Sequence, residues 1–143
     1  QQFLVNQTKM LIGHGDGLGP GDKTYKLLKI FFGSRFCQWL FARLHPNFGI
    51  GIAHLWSRRT RVYKLENWKE LDAFRGDEEW ILQFCKETEA QEHHDFYVFG
   101  HRHLPLDMEV SAESRYINLG EWFVQCTFAS FDGEKMTLET YEN

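Results

Sequence analysis

Three features of the sequence predict a layered α+β (mixed α/β) fold. An early strand runs into a glycine-rich loop. A long central stretch has helical periodicity. From about residue 96 the apolar period becomes two and stays so almost to the end. The first strand spans 8–13, ends at His14, and is followed by Gly15-Asp16-Gly17-Leu18-Gly19-Pro20-Gly21-Asp22. Four glycines and a proline in seven residues make a loop, because that density defeats helix and strand alike. Asp22 is a good N-cap for a helix over 23–32, which carries Leu27, Leu28, Phe31 and Phe32. Gly33-Ser34 breaks it. A second helix spans 35–44, His45-Pro46-Asn47 breaks the chain again, and a third helix covers about 48–58.

Residues 67–92 read as helical with an interruption near Gly76, and Trp80, Ile81, Phe84 and Cys85 share one face. Phe96-Tyr97-Val98-Phe99 is a buried strand leading into Gly100-His101-Arg102-His103. Further strands are predicted near 107–110, 115–119, 123–131 and 135–141, with Asp132-Gly133 as a hairpin turn.

The 143 residues suffice for a domain with its own core, and the 43% hydrophobic content excludes a disordered chain. No apolar run approaches the roughly 18 residues of a membrane span. The amino terminus, Gln1-Gln2-Phe3-Leu4-Val5-Asn6, lacks the basic and apolar segments of a signal peptide, and the missing initiator Met reads as a processed or truncated chain. Cys37, Cys85 and Cys126 are far apart and odd in number, which argues against a disulfide framework and fits a reducing cytoplasm. The net charge of −4 hides a strong asymmetry. Residues 23–64 hold nine Lys or Arg and no Asp or Glu, whereas from Leu65 onward 6 basic residues face 18 acidic ones. The basic block is expected to meet something anionic. An acidic chain without a binding motif reads against nucleic acid.

Two motifs carry chemistry. In Gly100-His101-Arg102-His103, residues two apart on an extended chain point to one side with Cα atoms roughly 6–7 Å apart, a span that suits two metals about 3.5–4 Å apart. In Ile12-Gly13-His14-Gly15-Asp16, a glycine on either side of the histidine leaves its approach open. Each motif alone also fits a surface histidine at a strand end. Together they gain weight, because loops at strand C-termini converge on one crevice in layered α/β folds. His93-His94-Asp95 precedes a buried strand and reads as structural, His45 as a loop residue and His54 as part of the third helix. Glu121 and Trp122 also read as structural.

Gly-His-x-His after an apolar strand and His-Gly-Asp after an earlier one resemble the two C-terminal metal motifs of the calcineurin-like metallophosphoesterases. Tyr116-Ile117-Asn118-Leu119-Gly120-Glu121-Trp122 is similar to the segment that follows them. The run from His14 through Asp22 to Tyr25 resembles the His-Gly-Asp-x-Leu-x-x-x-Asp-x-x-Tyr pattern of the UDP-2,3-diacylglucosamine pyrophosphatases of lipid A synthesis.

This resemblance implies a metallophosphoesterase-like layered β-sandwich flanked by helices. Residues 1–22 and 93–143 would form the C-terminal half of its core, 23–66 a helical cap and 67–92 core-flanking helices. It implies two divalent ions, Mn²⁺ in the first instance, with His14 and His101 on one and His103 on the other. It implies hydrolysis of UDP-2,3-diacylglucosamine to UMP and 2,3-diacylglucosamine 1-phosphate. Asp22, Tyr25, Lys26, Ser57, Arg58, Arg59 and Arg61 match positions that contact substrate. The cap would receive acyl chains, and its cations would hold the protein peripherally at an anionic inner membrane.

The upstream motifs Asp-x-His, Gly-Asp-x-x-Asp and Gly-Asn-His/Arg-Asp do not occur in this chain, so the N-terminal part of the core is expected to be missing. Exposed sheet edges would then favour a homodimer or a swapped assembly. Two other readings stay open: a phosphoesterase with a different substrate, and a non-catalytic binding module that retains the cap.

Overall fold

The computed structural model describes the backbone of residues 1–21, 23–71 and 73–142, and the side chains of all of these except 24, 60 and 63–71. In chain order the elements are β1 (Gln2–Val5), β2 (Thr8–Ile12), α1 (Lys23–Gly33), α2 (Arg35–Phe41), α3 (Pro46–Leu71), a 3₁₀ turn (Gly76–Glu78), α4 (Trp80–Glu89), β3 (Phe96–Phe99), β4 (Pro105–Glu109), β5 (Arg115–Leu119), β6 (Thr127–Phe131) and β7 (Met136–Thr140). They form two compact units. The chain through Gly21 and from Phe74 onward makes one, and α1–α3 make the other.

The first unit has three layers. Its central sheet has strand order β1-β2-β3-β5-β4, with β2, β3 and β5 parallel and both edge strands antiparallel. Successive side chains of a strand face opposite ways. Tyr97, Phe99 and Tyr116 therefore pack on one face against Ile81, Leu82 and Cys85 of α4. Met10, Val98 and Ile117 pack on the other against Met136, with Ala129, Phe131 and Leu138 of the β6–β7 hairpin beside them. Both faces of β3 are covered, and so 96–99 is apolar throughout instead of alternating. The sheet-on-hairpin layer is the predicted sandwich, and α4 supplies the flanking helix. The loop after β2 closes onto α4: Gly21 lies so near the Trp80 indole that a Cβ would fall 1.9 Å from its Cδ2. Only glycine fits there.

The second unit is held by sparser contacts. The Ser34 side chain caps α2, accepting from the Cys37 N–H at 3.2 Å. Phe32 meets Trp56 edge-on with ring centroids 6.2 Å apart, and the Arg43 guanidinium lies 3.6 Å from the Trp39 ring centroid. Leu27, Ile30, Phe36, Trp39, Phe48, Leu55 and Trp56 are exposed, and no apolar side chain among those described in this unit is buried. These residues do not form the subdomain core that their composition suggests. Among the described residues no helix is long and apolar enough to cross a membrane.

Several boundaries differ from the sequence reading. Helix α3 runs unbroken through 59–66, because that stretch has no glycine or proline and its basic residues are good helix formers. The helical insertion expected over 23–66 thus extends to Leu71, and 67–71 do not belong to the core-flanking helices. Strand β1 was not anticipated. It pairs with β2 through a two-residue turn at Asn6 and Gln7, both with positive φ (49° and 71°), the geometry that hairpin twist favours. Strand β6 begins at Thr127 instead of near 123, because 121–126 forms a separate turn.

The N-terminal ends of the parallel strands are closed by polar contacts. The Glu89 carboxylate accepts from the Tyr97 hydroxyl (2.7 Å), the Ser114 hydroxyl (2.7 Å) and the His94 N–H (3.0 Å), and it contacts His93 Nδ1 at 2.6 Å. This network accounts for His93 and His94. Desolvation pushes the Glu89 carboxyl up, but the hydrogen bonds from His93, Ser114, the His94 backbone and Tyr97 together outweigh it and hold the pKa at about 2 instead of 4.5. A folded-state pKa below the unfolded one contributes stability that is complete above the ordinary value and disappears as pH falls through about 2. The urea midpoint of the wild-type chain should therefore fall between pH 4.5 and 2, and Glu89→Gln should flatten that slope. Equal slopes would contradict the assignment.

Candidate active site

Parallel strands that start together also end together. Strands β2, β3 and β5 finish at Ile12, Phe99 and Leu119, and each is followed at one edge of the sheet by a glycine-containing segment: Gly13-His14-Gly15, Gly100–His103 and Gly120-Glu121. Ile12 pairs with Val98 as the last rung between β2 and β3. Two backbone bonds continue the ladder beyond it, Gly13 N–H to the Val98 carbonyl (3.0 Å) and Gly100 N–H to the His14 carbonyl (3.1 Å). His14 is thereby brought beside His101. Their rings meet edge to face, with centroids 5.3 Å apart and planes at 82°. Gly15, at φ 101°, lets the chain turn away under α4, where a Cβ would sit 2.9 Å from Ile81 Cδ1.

The 100–103 segment is a strained turn. His101 and His103 both have left-handed φ, 68° and 51°, in residues with a full side chain. Such conformations cost on the order of 1–3 kcal/mol each and persist only where neighbours over-determine them. The Gly100 carbonyl accepts from Arg102 N–H at 2.8 Å, closing a γ-turn centred on His101, a form that is rare because it is strained. The same carbonyl accepts from Asn118 Nδ2 at 2.6 Å. Asn118 is fully buried. Its Nδ2 also donates to the Tyr116 hydroxyl at 2.8 Å, and its Oδ1 accepts from Gly120 N–H at 3.2 Å. Burial pushes the Tyr116 hydroxyl well above its ordinary pKa, so it stays neutral. Arg102 points away from the histidines' edge to the Glu79 carboxylate, with Nε to Oε2 at 3.0 Å and one terminal nitrogen to Oε1 at 2.9 Å.

Glu121 closes the far side. Its carboxylate accepts N–H bonds from Phe123 (2.6 Å), Val124 (3.0 Å) and Gln125 (2.7 Å). The bond from Gln125 is the largest of the effects holding its carboxyl below the usual range, with those from Phe123 and Val124 adding to it. Glu121 is thus committed to the turn that carries Trp122, Phe123 and Val124.

Of the residues singled out from the sequence, His14 and His101 are in ring contact, and His103 is two residues further along the same turn. All three are exposed. Among the described residues no group of three His, Cys, Asp or Glu side chains converges closely enough to hold a metal ion, so His103 does not complete a three-ligand cluster with the other two. Two imidazoles edge to face suit two positions around a borderline divalent ion, and further donors would have to complete the set. Asp22 lies outside the described residues. Tyr25 and Lys26 are near the start of α1, and Ser57, Arg58, Arg59 and Arg61 lie along α3 with exposed side chains. All six belong to the helical unit. Sequence reasoning gave Asn118 and Glu79 no role. For the first, the available signal was Asn118-Leu119-Gly120, in the segment similar to the one that follows the metal motifs.

No protein-family model matches the chain. Over an alignment of 142 positions it is 32% identical to the UDP-2,3-diacylglucosamine hydrolase of Porphyromonas gingivalis, covering 88% of this chain and 54% of that protein. Over most of its length the chain is similar to proteins named UDP-2,3-diacylglucosamine hydrolase. Proteins of the same name from Shewanella pealeana and Shewanella halifaxensis are 24% and 25% identical over 90% of the chain and 51% of their own length. The chain therefore spans about half the length of the hydrolases it matches. The relationship agrees with the motif resemblance at His14-Gly15-Asp16 and Gly100–His103.

Replacing Asn118 by Ala removes the Nδ2 donor of the fully buried Tyr116 hydroxyl, along with one of the two donors to the Gly100 carbonyl. Leaving such a group underbonded costs about 1–3 kcal/mol. Urea unfolding followed by tryptophan fluorescence should show a loss of that size, and an unchanged midpoint would contradict the role given to Asn118.

Proposed function

We propose that this chain is the histidine-bearing portion of a metal-dependent hydrolase that cleaves the pyrophosphate of UDP-2,3-diacylglucosamine, giving UMP and 2,3-diacylglucosamine 1-phosphate. The observation that carries this reading is the His14–His101 ring contact at the C-terminal edge of a parallel sheet, in a chain similar to hydrolases of that name. His14 and His101 would hold one divalent ion and His103 a second, with Mn²⁺ the ion expected. When bound, such ions supply an activated water and neutralise charge on phosphoryl oxygens. The chain's own part is to aim its imidazoles by means of the turn at 100–103 and to keep the Gly100 carbonyl fixed through Asn118.

Substrate contacts are assigned to Asp22, Tyr25, Lys26, Ser57, Arg58, Arg59 and Arg61. Arginine forks suit phosphate oxygens. The exposed apolar side chains of α1–α3 would receive the acyl chains. The acid-free basic block supports peripheral attachment to an anionic bilayer, with roughly 1 kcal/mol gained for each Lys or Arg near the surface. The edge strand β1, with Phe3, Leu4 and Val5 exposed, supports self-association of the isolated chain.

A non-catalytic binding module is the second reading, favoured by the lack of a three-ligand group among the described residues. Turnover separates the two. The isolated 143-residue chain with Mn²⁺ should release no UMP from UDP-2,3-diacylglucosamine. A protein of the relatives' full length that carries these residues should release it. There, His14→Ala or His101→Ala should lower the rate by more than about 100-fold, beyond the loss typical of a ligand's supporting partner. A full-length protein that cleaves simple phosphomonoesters but not the lipid substrate would refute the substrate assignment, and one that cleaves neither would favour the binding module.

A further inference from the structure

Arg102 stands between two histidines whose backbones are both left-handed, and its guanidinium leaves the turn to form a two-pronged pair with Glu79. That pair is buried: Glu79 is 1% exposed and the Arg102 side chain 14%. A buried ion pair is a poor source of stability compared with apolar packing. Its position calls for another explanation.

Glu79 is itself held in place. Its Oε1 also accepts from Arg75 N–H at 3.1 Å, and its backbone carbonyl accepts the first bond of α4, from Gln83 N–H at 3.0 Å. The next two residues after Trp80, Ile81 and Leu82, are in the core. The carboxylate is therefore anchored at the N-cap of α4, whose Ile81 and Leu82 are in the core, while its partner lies in the turn that carries two left-handed histidines. Without a tether, residues with a Cβ relax toward negative φ. A relaxation at His101 or His103 would swing its imidazole away from the His14 edge.

We propose that Glu79 is a positioning residue: through its pair with Arg102 it locks the 100–103 turn in the left-handed conformation that presents His101 and His103 to a metal ion. The metal part of this statement rests on the proposed function. The positioning part does not. Arg rather than Lys is needed, because only the planar fork can engage both carboxylate oxygens and fix an orientation.

The test uses the 143-residue protein with its histidine rings labelled for NMR, titrated with Mn²⁺ alone. Arg102→Lys and Glu79→Gln should shift the His101 and His103 ring signals of the metal-free protein, leave the α4 core signals in place, and weaken Mn²⁺-induced broadening of those two rings by about 10–100-fold in apparent affinity, the range for lost supporting partners. Arg115→Lys, which alters the exposed Arg115–Asp107 pair of the same sheet, should do neither. Should a single variant fail to fold, the double variant Glu79→Leu/Arg102→Met replaces the pair by apolar packing and is expected to fold; it should show the same ring shifts and the same loss. Unchanged ring signals in folded variants would overturn the inference. A protein of the relatives' full length whose three histidines ignore Mn²⁺ would overturn the metal reading, while the metal-free ring shifts of the 143-residue chain would still decide whether Glu79 positions the turn.

Discussion

The parallel pairing of β2 with β3 is the constraint on which the rest depends. It brings together residues more than eighty positions apart, and it fixes them in register to within one rung. A slip of one residue would turn every side chain of a strand to the opposite face. Met10 and Leu11 would exchange layers, and His14 would lose its place beside His101. Burial of both faces of β3 makes such a slip costly, so the packing of α4 and of the β6–β7 hairpin is also what specifies the site.

The two ends of the parallel strands are treated differently. At the N-terminal ends, Glu89, His94, Tyr97 and Ser114 satisfy one another, and two of them have no solvent exposure. At the C-terminal ends the histidines are exposed, and the backbones of His101 and His103 are strained. The buried polar groups there, Asn118, Tyr116 and Glu79, serve the turn that carries the histidines.

Much of this was legible in the sequence. The apolar run at 96–99 and the glycine density after His14 located β3 and the loop, because burial on both faces and tight backbone approach leave plain compositional marks. The hidden parts depended on tertiary partners. Strand β1 turns on Asn6-Gln7, which lacks the glycine that usually announces such a hairpin. The continuity of α3 was obscured by a basic cluster that resembles a loop yet favours helix. Glu79 sits in Gly-Asp-Glu-Glu-Trp, where nothing local separates a core-facing carboxylate from its exposed neighbours. The motif residues were visible, and the groups that hold them were not.

The helical unit shows the opposite balance: its composition advertises a core, yet none of its described apolar side chains is buried. The sheet edge is therefore where the site can be checked directly. A through-space NMR correlation between the ring protons of His14 and His101 in the metal-free chain is the measurement. Rings with centroids 5.3 Å apart and edge to face should give a clear cross-peak. If the Gly13–Val98 contacts of the ladder are seen and the ring cross-peak is absent, the two histidines do not meet and the site described above does not exist.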